Sequence, residues 1–497
     1  MKVAIIQAGG LGSRMGRFTK NKPKCLLPLY GKTILENNLS YLNDYKVYII
    51  VDHLSDIIVD YVRHILKRDD IHFVKAQVKS TTSGLREIAN ENRGAEFLIL
   101  WSDLYLNEEP KFENAQDICI GLTNDFYCRW KFDDGSFIKE KTNVNGVMGI
   151  FYFKHFYDLI DLNENTSLVG GNLYLCNKAI HSKLVNGVVE IGESDVYERI
   201  IKDSSKCRFF NNISMFDDYV EKTCIDKNYE NLISDEIAWY SHVSDNVDFV
   251  PKLLSKNPFR IERIHGKHAY ELDLENSQKE ILLRSICKNI KRLQQIGSIK
   301  SVKSDFEDIY VEKTISRVNL VCKLIPFFEQ EHITINGKKC KNPFHCDNLE
   351  EFKNEIRSLY SQEYNVIHGD ITFSNIIVDK DLTPYFIDPR GYFGSTKIYG
   401  DPQYEWAKLF YSVSGNYDAI NRKMTDVSIS DDEIILSCTS NGYEKLDDIV
   451  IQESGMSRDT MQKIHSLIWL SLTGYVKEDI DSFMYAFYYG IYLWNLV

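Results

Sequence analysis

Hydrophobic and polar positions change their rhythm along the chain. Residues 3–7 form a compact apolar run that stops at two glycines, the mark of a strand buried on both faces and feeding a loop. Similar runs recur at 47–51, 97–100 and 146–153, and a helical spacing of apolar residues over 34–42 separates the first two. Strands alternating with helices predict βαβ units and a mainly parallel sheet. After about residue 205 the rhythm changes. Residues 211–225 alternate as a hairpin, 231–243, 277–295 and 347–361 read as helices, and the chain finishes mostly helical. No internal repeat or low-complexity stretch interrupts the pattern. A boundary near 203–212 gives domains of 1–205 and 206–497, in keeping with 497 residues being more than one core of roughly 250–300 residues holds.

Composition narrows the classes. The chain carries 59 basic and 71 acidic side chains, a formal charge of −12, with 44% hydrophobic and 26% charged residues. That is a soluble globular composition. Its acid excess argues against a sequence-nonspecific nucleic-acid binder, which needs a basic stripe to displace phosphate counterions. The first residues lack the apolar length of a secretory signal. The apolar segments 464–476 and 482–497 fall short of the roughly 20 residues that span a bilayer, and read as buried helices. The 11 cysteines contain no CxxC pair, and Cys340, His345 and Cys346 lack a second ligand pair for structural zinc. These features predict a cytoplasmic protein with free thiols, small-molecule partners, no nucleic-acid partner and no integral membrane segment.

Two stretches carry chemistry. The first is Ala8-Gly9-Gly10-Leu11-Gly12-Ser13-Arg14-Met15, directly after the first strand. Glycines there let backbone N–H groups approach and cradle an anion, although the same residues also suit a tight strand–helix turn. Met15 stands where a dinucleotide fingerprint needs Gly or Ala, and the P-loop Lys-Ser/Thr pair is missing. Roughly ten residues on comes Asn21-Lys22-Pro23-Lys24-Cys25. Together the two segments resemble the nucleotidyltransferases that join a nucleoside triphosphate to a sugar phosphate or to phosphocholine, over about residues 1–200. The resemblance implies a Rossmann-like α/β domain. In it Gly10, Gly12 and Ser13 cradle the triphosphate of CTP or another NTP, Arg14 binds it, and Lys24 holds the attacking phosphate. It further implies that Gly84, in the turn 81–85, belongs to nucleotide recognition and that Asp103 binds Mg2+. The family's second metal-binding aspartate, late in the domain, has no clean copy; Glu193, Asp195 and Asp217 are the candidates.

The second stretch is Ile367-His368-Gly369-Asp370-Ile371-Thr372-Phe373-Ser374-Asn375, followed by Phe386-Ile387-Asp388-Pro389-Arg390-Gly391. Phosphoryl transfer to a hydroxyl needs a base for the proton and oxygen ligands for Mg2+. An Asp and an Asn five residues apart, with a second Asp after a nearby strand, meet that demand. The pattern resembles the aminoglycoside phosphotransferase and choline kinase family, whose domain is bilobal, protein-kinase-like and α+β. The resemblance makes Asp370 the catalytic base and Asn375 and Asp388 the Mg2+ ligands. His368 shapes the loop, while Lys222 on a strand and Glu236 on a helix position the ATP phosphates. Lys222 and Glu236 also fit plain surface charges, and the lobe's glycine loop is not evident. The family's Ile-Asp-Trp is Ile-Asp-Pro-Arg-Gly here, so that Arg390 either contacts a substrate or is structural. Asp401, Tyr404, Glu405 and Lys408 suit the wall of an acceptor pocket.

If both halves act, the expectation is two consecutive reactions: ATP phosphorylates a sugar or amino alcohol, and an NTP is then coupled to that phosphate. The product would be a nucleotide-activated precursor of a surface polysaccharide. The alternatives are a single active domain beside a binding or regulatory module, and a noncatalytic scaffold.

Overall fold

Apolar side chains at 3–6 leave β1 (Lys2–Gln7) buried along nearly its whole length, so the strand can sit only inside a sheet covered on both faces. Its neighbours are β2 (Lys46–Val51) and β4 (Glu96–Trp101), both parallel to it, and β3 (His72–Lys75) lies parallel beyond β2. Helices α1 (Ile34–Ser40) and α2 (Leu85–Glu91) belong to the intervening crossovers. Thr33 caps α1 by accepting a hydrogen bond from Glu36 N at 3.1 Å, the start signal that local sequence alone supplies. On the far side of β4 the direction reverses. β7 (Gly146–Phe153) runs antiparallel to β4 and to β6 (Ile118–Thr123), and β8 (Ile180–Leu184) is parallel to β6. The sheet is therefore parallel across β3-β2-β1-β4 and mixed beyond. Val3, Ile5, Tyr48, Ile50, Phe97, Ile99 and Phe151 form one buried layer against Leu85, Ile88 and Ala89 of α2. Two short strands, β5 (Leu104–Tyr105) and β9 (Val189–Glu190), pair antiparallel outside this sheet.

The structure, a computed structural model, describes residues 1–112, 117–174, 179–204, 211–224 and 230–497. Two compact units emerge: Met1–Ile201 with Glu478–Ile480, and Lys202–Lys477 with Asp481–Val497. The boundary expected at 205/206 lies outside the described residues.

In the second unit the alternating segment forms a hairpin of β10 (Asn211–Met215) and β11 (Tyr219–Cys224). It joins β12 (Leu253–Lys256) and β13 (Phe259–Glu262) in an antiparallel sheet of order β10-β11-β13-β12. Helix α3 (Glu230–Val243) buries Glu236, Trp239, Tyr240 and Val243. The remainder is mainly helical. It includes α4 (Asn276–Gln294), α5 (Lys313–Val321), α6 (Leu349–Arg357), α7 (Pro402–Val413), α8 (Arg458–Leu472) and α9 (Ile480–Trp494). Between them β14 (Glu363–Val366) precedes the His-Gly-Asp loop, and β15 (Ile376–Val378) and β16 (Pro384–Phe386) form a hairpin directly after it. Helix α6 is shorter than the 347–361 its pattern predicts, because beyond Arg357 the backbone tightens to i→i−3 bonds, from Leu359 N to Ile356 O at 2.9 Å and from Tyr360 N to Arg357 O at 3.4 Å. Among the described residues, no helix is long and apolar enough to cross a membrane.

Candidate functional sites

Strands β1 and β4 are parallel neighbours with Gln7 opposite Trp101, so the glycine loop after one and Asp103 after the other leave the sheet at the same edge. Carboxyl ends of parallel strands are where open α/β sheets take ligands. Gly12 holds φ +65° there, and a Cβ would press Thr19 at 3.1 Å; its carbonyl oxygen accepts from Met15 N at 2.8 Å and Thr19 Oγ1 at 3.0 Å. Nothing lies within 4 Å of where a Cβ on Gly10 would sit, which leaves that backbone open to a ligand. The turn after the loop is anchored by a small core of Met15, Phe18, Leu27, Leu29, Ile34, Tyr105, Ile191 and Tyr197.

Pro23 fixes an extended backbone before a short turn of helix that begins at Lys24. Lys24 Nζ meets Asp103 Oδ2 at 2.8 Å, with both side chains largely buried. The other oxygen, Asp103 Oδ1, is buried with no hydrogen-bond partner among the described residues. An orphaned carboxylate oxygen beside a lysine suits a hard cation. A further acid, Glu190, lies in the field of this pair, and sequence reading did not single it out. The β5–β9 ladder sets Glu190 opposite Leu104, and Ile191 N donates to Asp103 O at 2.8 Å. Burial raises the Glu190 pKa, the charge of Asp103 raises it further, and Lys24 and Arg14 oppose both. Two carboxylates thus share one field with two cations, a donor set that fits Mg2+.

The three acids named from the sequence take different places. Glu193 pairs with Arg14 at 3.6 Å, both well exposed; Asp195 sits in the first turn of the helix Ser194–Ser204; Asp217 is in the turn between β10 and β11 of the other unit. The only local signal for Glu190 is Gly192, where a Cβ would come within 1.9 Å of Glu190 Oε1. Ser13 opens the turn carrying Arg14. Gly84 starts α2, and the turn before it is held internally: Ser83 Oγ accepts from Gln77 N at 2.8 Å and Thr82 Oγ1 donates to Thr166 O at 2.7 Å.

The second constellation lies within the second unit. His368 is buried, and its Nε2–H donates to Ile387 O at 2.8 Å while Nδ1 accepts from Asp370 N at 3.3 Å. Burial lowers this imidazole to about 4, so the ring is neutral. Glu405 of α7 accepts from the N–H groups of His368 at 2.9 Å and Gly369 at 2.8 Å, and burial pushes its carboxyl up to about 7. Asp370 accepts at Oδ2 from Asn375 Nδ2 at 3.1 Å and pairs at Oδ1 with Lys408 Nζ at 2.8 Å. Asp388, just beyond β16, adopts φ +57° and pairs with Lys222 Nζ. Lys222 also meets Glu236 Oε1 at 2.5 Å. Burial works against the Lys222 charge, but Asp388 and Glu236 outweigh it and hold its pKa above the ordinary value. Lys222 and Glu236 are both buried, so the surface-charge reading does not describe them. Of the residues expected along an acceptor wall, Lys408 pairs with Asp370 and Glu405 holds the backbone of its loop.

Elsewhere, His345, Cys346 and Asp347 bring ligand atoms together at the surface, while Cys340 is buried in a separate strand.

Residues 4–110 match the family model of the MobA-like NTP transferase domain. Those residues of the first unit make up an NTP transferase domain of this type. Among curated proteins, bifunctional protein GlmU of Methanococcus vannielii is 27% identical over 126 residues, 24% of this chain and 29% of that protein. CMP-5'-(3-aminopropyl)phosphonate synthase of Streptomyces rubellomurinus is 33% identical over 88 residues, 17% of this chain and 14% of that protein. The chain thus matches less than a third of the length of these relatives. Two solved structures are similar to part of this chain. HddC from Yersinia pseudotuberculosis aligns over 41% of this chain and 99% of its own at 17% identity and a TM-score of 0.34. CTP:phosphocholine cytidylyltransferase from Streptococcus pneumoniae aligns over 40% and 96% at 18% identity and a TM-score of 0.34.

Proposed function

We propose that the chain is a bifunctional transferase in which the second unit, a kinase-like bilobal α+β domain, phosphorylates a small alcohol or sugar with ATP, and the NTP transferase domain couples the resulting phosphate to a nucleotide. The observation that carries the first half is the Lys24–Asp103 pair at 2.8 Å, with Glu190 beside it at the mouth of the glycine loop. In that reaction a phosphate oxygen of the acceptor attacks the α-phosphorus of the NTP, and the bond to pyrophosphate breaks. Lys24 holds the incoming phosphate, Arg14 and the backbone of Gly10, Gly12 and Ser13 hold the triphosphate, and Gly84 lies at the recognition turn. Asp103 and Glu190 would hold Mg2+, which neutralises charge on the phosphates. The Streptomyces relative is named for a CMP-linked product, which favours CTP as the donor.

The buried Lys222–Glu236–Asp388 chain and the Asp370–Asn375 pair support the second half. Asp370 is placed to accept the acceptor's hydroxyl proton. Asn375 spends its amide nitrogen on Asp370, so its oxygen remains, with Asp388, as the donor set for Mg2+. A soluble precursor for a surface glycan is the fitting product.

The test follows ADP and pyrophosphate separately in the full chain, across a panel of sugars and alcohols and all four NTPs. Asp370→Asn should abolish ADP formation and leave pyrophosphate release from a pre-phosphorylated acceptor intact, while Lys24→Met does the reverse. Pyrophosphate release that survives Lys24→Met sinks the first assignment; ADP formation that survives Asp370→Asn sinks the second.

A further inference from the structure

Beside Asp370 the second unit gathers more positive charge than its own carboxylates neutralise. Helix α5 carries Lys313 and Arg317 four residues apart, a spacing that puts both on one helix face. Arg390, from the Asp-Pro-Arg-Gly turn, and Lys408, from α7, complete the cluster. Lys313 feels Arg390, Arg317 and Lys408, with Asp370 as the one acid opposing them; burial first, and then those three cations, lower its pKa well below the ordinary lysine value. Asp370 is already engaged by Lys408 at 2.8 Å and by Asn375.

The other cations are held in place by groups that carry no full negative charge. Arg317 Nη1 donates to Ser471 O at 2.8 Å, and its guanidinium lies 5.4 Å from the Tyr475 ring centre. Arg390 lies 4.5 Å from the centre of the Tyr392 ring, with Nη1 3.4 Å from Tyr404 Oη. Among the described residues, neither these two arginines nor Lys313 forms an ion pair with a carboxylate. Like charges on one helix face repel, and partly buried unpaired cations are costly, so an anion would relieve Lys313 and Arg317, while Tyr404, Tyr392 and Asp370 already favour the charge of Arg390. The arrangement also disfavours a cationic acceptor: the aromatic faces of Tyr411 and Tyr417 that could receive a quaternary ammonium are covered by Lys408 Nζ at 4.9 and 5.7 Å.

We propose that Lys313, Arg317 and Arg390 receive an anionic group, a carboxylate or a phosphate, on the alcohol that the second site phosphorylates. This rests on the kinase reading above and narrows its substrate class from small alcohols and sugars to acidic alcohols and sugar acids. The anion, held by the three cations, presents the hydroxyl to Asp370. The hydroxyl oxygen bonds to the γ-phosphorus of ATP, its proton passes to Asp370, and the bridging bond to ADP breaks with the electron pair leaving on ADP.

The experiment uses the full chain and matched acceptors that differ in charge: glucuronate against glucose, glycerate against glycerol, with choline as the cationic member. ADP formation is measured alongside calorimetric titration with inorganic phosphate as a probe of the pocket. The anionic member of a pair should be used with at least about tenfold higher kcat/KM. Lys313→Met and Arg390→Met should raise the acceptor KM and leave the ATP KM unchanged. The same variants should remove a phosphate-binding component that Lys24→Met retains. Equal use of neutral or cationic members, a rise confined to the ATP KM, or phosphate binding indifferent to both variants overturns the proposal. Phosphate binding that depends on Lys313 and Arg390, with no ADP formed from any acceptor, upholds the anion pocket and overturns the kinase reading instead.

Discussion

Lys24 and Asp103 stand 79 positions apart in the chain and still meet, because each follows the carboxyl end of one of two adjacent parallel strands or the loop it leads into. Removing one preorganised charge from such a site costs about 10²- to 10³-fold in rate. Lys24→Met should therefore lower kcat for pyrophosphate release by that factor with little effect on folding, read by a coupled pyrophosphate assay together with far-UV circular dichroism. Glu190→Gln keeps shape and removes charge. It should raise the Mg2+ concentration needed for half-maximal rate by at least about tenfold, and an unchanged Mg2+ titration would show that Glu190 holds no metal. Glu405 makes a pH prediction. Its folded pKa of about 7 lies above the ordinary 4.5, so its contribution to stability is fully present below 4.5 and is lost as pH rises through 7, a swing of about 3 kcal/mol. His368 and His465, lowered by burial to about 4 and about 3, act in the opposite sense and cost stability as pH falls below 6.5. Asp401, which burial pushes up to about 6, acts in the same sense as Glu405, so between pH 4.5 and 6 the two acids nearly offset the two histidines and wild type should vary little, whereas Glu405→Gln should lose stability on acidification, as urea unfolding at pH 6 and 4.5 would measure.

Single elements were legible where propensity and burial agree. The runs at 3–7, 47–51 and 146–153 appear as strands because nearly every position is apolar and both faces are buried, and the helix at 231–243 appears because its apolar spacing matches its buried face. The strand pair β5–β9 was not legible, since each partner is two residues long and gains its order only from the other. It is that pair which aims Glu190, and Gly192 makes room for it. Gly192→Ala should displace the Glu190 carboxylate and lower nucleotidyl transfer at least about tenfold, while the melting temperature moves little. Activity equal to wild type would mean that the carboxylate's position does not matter.

Each unit has its own buried core, so ligands should act on them separately. Titration of the full chain with ATP and Mg2+ at about 100 times Kd adds about 2.7 kcal/mol to the unit that binds, a shift of roughly 5–10 °C for domains of this size. Differential scanning calorimetry should show that shift in one transition and not in the other; a single transition moved as a whole would argue against two independently folding units.

The order of residues along the chain was enough to disclose a glycine loop with its lysine, an aspartate after a buried strand, and the His-Gly-Asp and Ile-Asp motifs, because each is a local pattern whose chemistry its own spacing declares. Tertiary structure alone decided which charges are neighbours. It buried Lys222 with Glu236, set Glu190 in the field of Asp103 and Glu193 against Arg14, gave Lys408 to Asp370, and left Lys313, Arg317 and Arg390 without an ion pair to a carboxylate among the described residues. Coulomb energy depends on distance and burial through space, and neither quantity is written in the spacing of residues along a chain.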